Sequence, residues 1–431
     1  MKKYAKEVFT FTKDVLYCIM YFFKTERKKE MKVLVINAGS SSLKFTLFSM
    51  EGAEEKVIAN GLVERVGTDK PNLVFKRADG FKLEEMPKVA NHSDALRAIC
   101  EKLVDPEVGV LKSLSEVTAI GHRVLHGGEK ITKPVLVDQN VKDIIRECFP
   151  LGPLHNPANL MGIEACEEIF KGVPNVAVFD TEFHQTMPPE AYLYAIPYDY
   201  YTKHGIRKYG FHGTSHNFVT NATAEFLGKK KEDVTIITCH LGNGCSMAAV
   251  KNGKVIDTTM GLTPLEGLMM GTRSGDMDPA AVLRLVQLGS TAEEVDTLLN
   301  KKSGLFAVAG IGSGDMRDVE NAAANGNERA QLALKMFIRR IVKYIGSYYV
   351  LVGGADALVF TGGIGEHSTR TRKAILDAIS CLGIKVDDAK NADCSKGIIS
   401  TDDSKFMAIV MPTNEELMIA RNTSNVLAAA K

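Results

Sequence analysis

The eight cysteines form no C-x-x-C pair and no zinc-ligand spacing. In a chain of 431 residues that usage reads as reduced, mostly buried thiols of a cytoplasmic protein, not as a disulfide framework. An excess of charge is lacking too. A net charge of +1 exerts no general pull on nucleic acid or on a membrane, so any anion site must be local. The apolar run Val15 to Phe23 is nine residues long, too short to span a bilayer as a helix. Lysines and arginines flank it, but no small-residue cleavage site follows, which argues against a signal peptide. A weak surface anchor is one alternative. The expectation adopted is that residues 1–30 are upstream sequence or an arm outside the fold, with Met31 opening the first strand.

Several catalytic signatures are missing as well. There is no HExxH for a metalloprotease, no GxSxG nucleophile elbow and no visible Ser-His-Asp order. The phosphate loop that needs Gly directly before Lys is absent, and Gly362 to Ser368 fails the dinucleotide pattern because Ser368 stands at the third Gly position.

What is present begins at Val33. Val33 to Ile36 is fully apolar and, apart from Leu34, β-branched, as a strand buried on both faces should be. Leu43, Phe45 and Leu47 then alternate with Lys44 and Thr46. Between the two runs lie Asn37, Ala38, Gly39, Ser40, Ser41 and Ser42. Such a turn exposes backbone N–H groups and hydroxyls, a concavity suited to phosphate; an ordinary Ser-rich hairpin turn is the competing explanation. About two hundred residues later the same plan recurs: an apolar strand from Val234, the turn His240-Leu241-Gly242-Asn243-Gly244, then a strand from Cys245. Two such hairpins suggest a duplicated domain holding a nucleotide's phosphates in a cleft. Length alone favours two domains, and 45% hydrophobic with 24% charged residues is a globular composition.

Between and after the hairpins, the spacing predicts helices over 92–104, 159–170, 279–288 and 329–350, and strands over 117–120, 176–179, 358–361 and 406–411. Asp180 ends one strand, where open α/β sheets place ligands, although a helix N-cap would explain it equally. His122 and His126 sit four apart on an extended segment, a poor geometry for a metal pair. Arg207 to His216 combines a basic pair, aromatics, glycines and two histidines, which reads as site chemistry more than packing. The Tyr-rich stretch 192–201 looks like a connection between domains. Thr413 and Glu416 have the spacing of a capping box at the start of a closing helix.

Ten segments in order carry a resemblance: NAGSSSLKF, GHRVLHGG, PLHNPAN, FDTEFHQTMP, RKYGFHGTSH, HLGNGCS, MGTRSGDMDP, GDMRD, GGIGE and PTNEE. From Met31 onward the chain resembles the acetate kinases, of the acetate and sugar kinase, heat-shock and actin superfamily. The resemblance implies an α/β fold of two duplicated actin-like, ribonuclease H-like domains with a cleft between them. The domains expected are 31–182 with 417–431, and 183–416, leaving 1–30 outside. It implies reversible, Mg2+-dependent phosphoryl transfer between ATP and acetate, with Mn2+ as an alternative ion, in a cytoplasmic homodimer without nucleic-acid or membrane partners.

Residue by residue, the resemblance makes Arg123 and Arg273 the arginines that bind carboxylate and phosphoryl group. His212 becomes the histidine bonded to that group, His155 a second histidine near it, and Asn243 a phosphate contact. Asn37, Asp180 and Glu415 match metal and catalytic positions. Ser40, Ser42 and Lys44, with His240, Leu241, Gly242 and Gly244, match the phosphate-facing hairpins. Asp315, Met316 and Arg317, with Gly363, Ile364, Gly365 and Glu366, match the adenosine pocket, and Leu125, Leu154, Phe211 and Pro264 the walls around the acetate methyl. Leu125 stands where the family often has Val, which should keep the pocket small. A propionate or butyrate kinase on the same fold is the nearest rival. An actin-like ATP-switch protein is a distant one, and leaves the two arginines and His212 without a role.

Overall fold

The computed structural model describes residues 31–51, 54–153 and 155–430, so expectations for residues 1–30 and for Leu154 lie outside the described residues. The chain divides into two compact units: residues up to 122 with 161–176 and 420–431, and residues 123–160 with 177–419. These bounds differ from the division at 182/183 and 416/417 expected from the sequence. The Tyr-rich stretch 192–201 lies wholly within the second unit.

The first unit opens with β1 (Met31–Ala38), β2 (Ser42–Glu51), β3 (Glu54–Glu64), β4 (Asn72–Arg77) and β5 (Lys82–Glu85), followed by β6 (Ala119–Val124) and β7 (Asn175–Phe179). In the first unit the order is β5-β4-β3-β2-β1-β6-β7, seven of the eight strands of that sheet, β6 and β7 running on past the division. β1 and β2 pair antiparallel with Val35 opposite Thr46, and β1 pairs parallel with β6, Leu34 beside Ile120. Val33 to Ile36 are buried on both faces, as their composition requires. The alternation expected along β2 holds only at Lys44. Thr46 and Phe48 are buried too, because this strand is central and covered on both sides. Phe45 packs on Phe75, ring centroids 6.0 Å apart, in a core with Leu34, Leu73, Leu96 and Ile99. The helix His92–Val104 contributes the last two; Asn91 caps it by accepting from the Asp94 N–H.

The second unit repeats the plan with β8 (Ile236–Leu241), β9 (Cys245–Lys251), β10 (Lys254–Thr258), β11 (Ala357–Thr361) and β12 (Met407–Val410), in the order β10-β9-β8-β11-β12. β8 to β10 form antiparallel hairpins, and β11 lies parallel to β8, as β6 does to β1. The duplication inferred from two small turns is therefore present in strand order and direction. The helix Glu328–Val352 covers this sheet with a buried spine of Ala330, Ala333, Phe337, Ile341, Ile345, Tyr348 and Val352, spaced three or four apart. Gly353 ends it in the left-handed conformation, φ +80°. At the last helix, Glu415–Ala429, the expected capping box does not form. Asn414 accepts from the Leu417 N–H at 3.0 Å, while Thr413 Oγ1 accepts from Ser215. The helix begins at Glu415, so the capping side chain is Asn414, one residue later than the spacing assigned it.

Phe45→Ala should empty a fully buried site and lower stability by about 3–5 kcal/mol, read from the midpoint of urea denaturation.

Candidate active site

β7 is buried along its whole length, and it delivers Asp180 to its carboxyl end with only 1% of the residue exposed. The backbone of Asp180 is tied on both sides: its N–H donates to Val124 O, and its carbonyl accepts from the Gly213 N–H, each at 2.9 Å. Gly213 is required at that contact, since a Cβ there would lie 2.2 Å from the Asp180 oxygen. The carboxylate accepts two parallel bonds from Arg123, Nε to Oδ1 at 3.0 Å and Nη2 to Oδ2 at 2.6 Å. Burial opposes the charge on Arg123, but Asp180 and then Glu415 outweigh it and hold the guanidinium proton more tightly than usual.

Arg273 is built differently. Its Nη1 donates to Pro264 O at 3.2 Å, and among the described residues it has no carboxylate partner. Burial pulls its pKa below the ordinary arginine value, the mark of a cation held without a counterion. His155 and His212 are both pushed down, by burial and by the fields of Arg123 and Arg273. For His212 the neighbouring rings of His240 and His216 count before the arginines. Two arginines and two histidines therefore converge on one region of the second unit.

His212 is held with φ +56°, a conformation a side-chain-bearing residue rarely adopts and that costs on the order of 1–3 kcal/mol. It precedes the helix Gly213–Phe226, and its ring stacks on His240 with centroids 4.3 Å apart. Gly244 lies against the His212 ring and the Arg273 guanidinium: a Cβ there would be 3.5 Å from His212 Nε2 and 3.6 Å from Arg273 Nη1. The second hairpin turn thus brings bare backbone to the same spot. Gly242 N–H closes that turn on Gly244 O at 3.1 Å, as Gly39 N–H closes the first on Ser42 O at 2.8 Å. In the first unit, Asn37 pairs with Lys44 across its hairpin, and Ser40 lies in the turn.

A cavity of about 580 Å³ opens beside the second hairpin. Gly242, Asn243, Asp315, Met316, Arg317, Gly363 and Ile364 line it, all anticipated. Thr272, Glu320, His367 and Ser368 line it too and were not anticipated. Gly362 to His367 forms a short helix directly after β11. His240, Leu241, Gly365 and Glu366 are not among its walls. Glu366 instead accepts from the Gly362 and Thr413 N–H groups at 2.9 and 3.2 Å. Asp315 caps the next helix and is gripped by Arg317, which pulls its pKa down to about 2. Leu125 and Phe211 are buried in the second unit's main apolar cluster. His216 lies inside the helix that His212 precedes, within the Arg207 to His216 stretch read from the sequence as site chemistry, and its ring bonds both Thr238 and Ser246.

The basic pair at 207 and 208 is structural. Arg207 pairs with Glu129 at 2.5 Å and lies 3.6 Å over the Tyr192 ring, and Lys208 donates to Thr258 O. His122 bonds Asn175 Oδ1 at 2.7 Å, and His126 Nδ1 accepts from the Gly128 N–H. No three His, Cys, Asp or Glu side chains among the described residues form a metal cage. The carboxylates of Asp180 and Glu415, both acting on Arg123, are hard oxygen donors in small number. That donor set fits Mg2+, which keeps several waters and takes phosphate oxygens for the rest.

A family model described as the Acetokinase family matches residues 32–421. An acetate kinase of Finegoldia magna is 56% identical over 394 residues, covering 91% of this chain and 99% of the relative. The crystal structure of Porphyromonas gingivalis acetate kinase superposes with a TM-score of 0.87 at 46% identity, over 92% of this chain and all of that one. A propionate kinase from Francisella tularensis gives 0.86 at 43% identity, with the same coverage.

Arg123→Ala would leave Asp180 buried and unpaired and should cost about 3 kcal/mol of stability, whereas Arg273→Ala strands no carboxylate and should stay within about 1 kcal/mol; thermal melts distinguish them. Burial pushes His122, His184 and His240 down to about 4 and His126 to about 3. Unfolded histidines take up protons near pH 6.5, so between about pH 6.5 and 4 the unfolded chain binds more protons. Stability should therefore fall as pH drops through that window. Glu182, raised to about 8 by burial, and Asp257, also raised by burial, oppose this, but His155, His212 and His216 are pushed down as well and add to the trend. Melting temperatures at pH 7 and pH 5 provide the check.

Proposed function

Because the chain belongs to the acetokinase family, we propose that it is an acetate kinase, an enzyme that moves the terminal phosphoryl group of ATP to acetate and back. The fold is that of the actin-like kinases. The observation that carries the assignment is the contrast between two arginines: Arg123 pinned by Asp180, Arg273 uncompensated. An unpaired guanidinium beside a bare glycine turn is a fixed positive charge awaiting an anion. Phosphoryl transfer spreads charge over three equatorial oxygens and needs positioning and cations more than covalent help. Arg273 and Arg123 take the phosphoryl oxygens and the acetate carboxylate, with His155 beside them. His212 donates to the transferring group. Asn243 and the second hairpin, and Ser40, Ser42 and Lys44 of the first, hold the remaining phosphates.

Acetate attacks in line as a carboxylate, already charged, so no general base is required. Leu125, Leu154, Phe211 and Pro264 enclose its methyl group. The large cavity receives the adenosine. Asn37, Asp180 and Glu415 hold Mg2+, which supplies neutralisation of phosphate charge when bound. A homodimer in the cytoplasm, and a duplicated-domain division at 182/183 and 416/417, belong to the same proposal. Among the described residues no helix is long and apolar enough to cross a membrane.

Hydroxylamine trapping of acyl phosphate with MgATP should give acetate a higher kcat/KM than propionate or butyrate; propionate ahead of acetate would move the substrate assignment to the rival kinase. Arg273→Ala should lower kcat by about 10²–10³, as loss of a transition-state donor does, and turnover left intact would remove Arg273 from the mechanism. Leu125→Ala should raise propionate relative to acetate by about tenfold, within the worth of one methylene.

A further inference from the structure

Behind His212 runs a chain of three short contacts that ends inside the second sheet. His212 Nδ1 lies 2.9 Å from Ser246 Oγ, Ser246 Oγ lies 2.8 Å from His216 Nε2, and His216 Nδ1 lies 2.7 Å from Thr238 Oγ1. Ser246, His216 and Thr238 are wholly buried, out of reach of bulk water. We propose that Ser246 is a positioning residue: with His216 behind it, its hydroxyl holds His212 as the tautomer that accepts at Nδ1 and carries its proton on Nε2, presenting a neutral donor to the transferred phosphoryl group. This rests on the role given to His212 above.

The chain leaves two arrangements. A hydroxyl has one hydrogen, and a neutral imidazole has one N–H. Ser246 can give its hydrogen to only one ring, and the other ring must then donate to it; accepting from both rings would leave the buried Ser246 hydrogen without a partner in the chain of contacts. In the first arrangement Thr238 donates to His216 Nδ1, His216 Nε2–H donates to Ser246, and Ser246 donates to His212 Nδ1. The proton of His212 then sits on Nε2, the atom facing Gly244. In the second, every hydrogen is reversed: His212 donates to Ser246, Ser246 to His216, and His216 to Thr238. Thr238 then turns to Ala248 O, 3.4 Å away, and His212 Nε2 is a bare lone pair. Both hold the same number of protons. The second gains one long contact and sets a lone pair against an anion. The first gives up that contact and offers the anion an N–H.

Protonating the ring would also create a donor, but the surroundings disfavour it. Burial, the rings of His240 and His216, and the guanidinium groups of Arg123 and Arg273 keep His212 neutral. His216, buried beside His184 and His240, is kept neutral likewise. A donor at Nε2 must therefore come from the choice of tautomer, and Ser246 is the group in contact with both rings.

The experiment is ¹⁵N NMR of the full chain labelled at histidine, without nucleotide and with acetyl phosphate as the probe. A His212→Gln spectrum assigns the ring. His212 with Nε2 protonated and Nδ1 a bare acceptor is the expected result. Ser246→Ala should mix the tautomers and lower kcat about tenfold, the scale of one hydrogen bond, with both KM values within about threefold. Ser246→Thr, which restores the hydroxyl, should restore kcat. Nδ1 protonated in the wild-type complex would overturn the proposal, and so would a Ser246→Ala loss of kcat with the tautomer unchanged. Full turnover in His212→Ala would instead remove the role of His212, while the tautomer spectrum still reports on Ser246.

Discussion

The buried carboxylate of Asp180 is the constraint from which the site is built. A charge so deeply enclosed persists only when paired and hydrogen-bonded. Arg123, on the neighbouring strand, supplies two parallel donors, and through that pair its own guanidinium is locked in orientation. The backbone of the same aspartate receives Gly213, and that contact fixes the entry of the helix Gly213–Phe226. His212, one residue earlier, is consequently forced into its left-handed conformation and swung against Gly244 and Arg273. One buried pair thereby sets both an arginine and a histidine. Its removal would disturb orientation as well as charge.

The remaining electrostatics follow a division of labour. One arginine is paired with a buried carboxylate; the other has no carboxylate partner among the described residues. The histidines around them are kept neutral by burial and by these same cations, so they offer hydrogen bonds without adding charge. Such a site attracts an anion through a few fixed cations, which agrees with a chain whose net charge is only +1. The strain at His212 is offset by the packing around it, a common arrangement where a side chain must be aimed.

Much of the fold was legible because its signals are local. The strand β1 showed its burial in four consecutive apolar residues, and both hairpins showed their turns in small residues. Helices with a long apolar stripe, such as Glu328–Val352, came within two residues of their expected bounds. Signals that depend on a distant partner misled. Arg207 and Lys208 looked chemical and are structural, because Glu129, Tyr192 and Thr258 come from elsewhere in the chain. Thr413 looked like a cap, but the helix starts one residue later and Asn414 caps it.

By itself, the sequence determined the central strands of both sheets, where the small turns lie, and which arginines, histidines and carboxylates are available for an anion. Periodicity and turn chemistry act over a few residues, and motif order follows directly from the chain. Only the tertiary structure decided which arginine is neutralised, which histidines stay neutral, and which hydroxyl stands behind His212. Those outcomes depend on desolvation and on hydrogen-bond partners such as Thr238, 22 positions from His216, or Asp180, 57 from Arg123. Burial and pairing of that kind arise only when the chain has closed on itself.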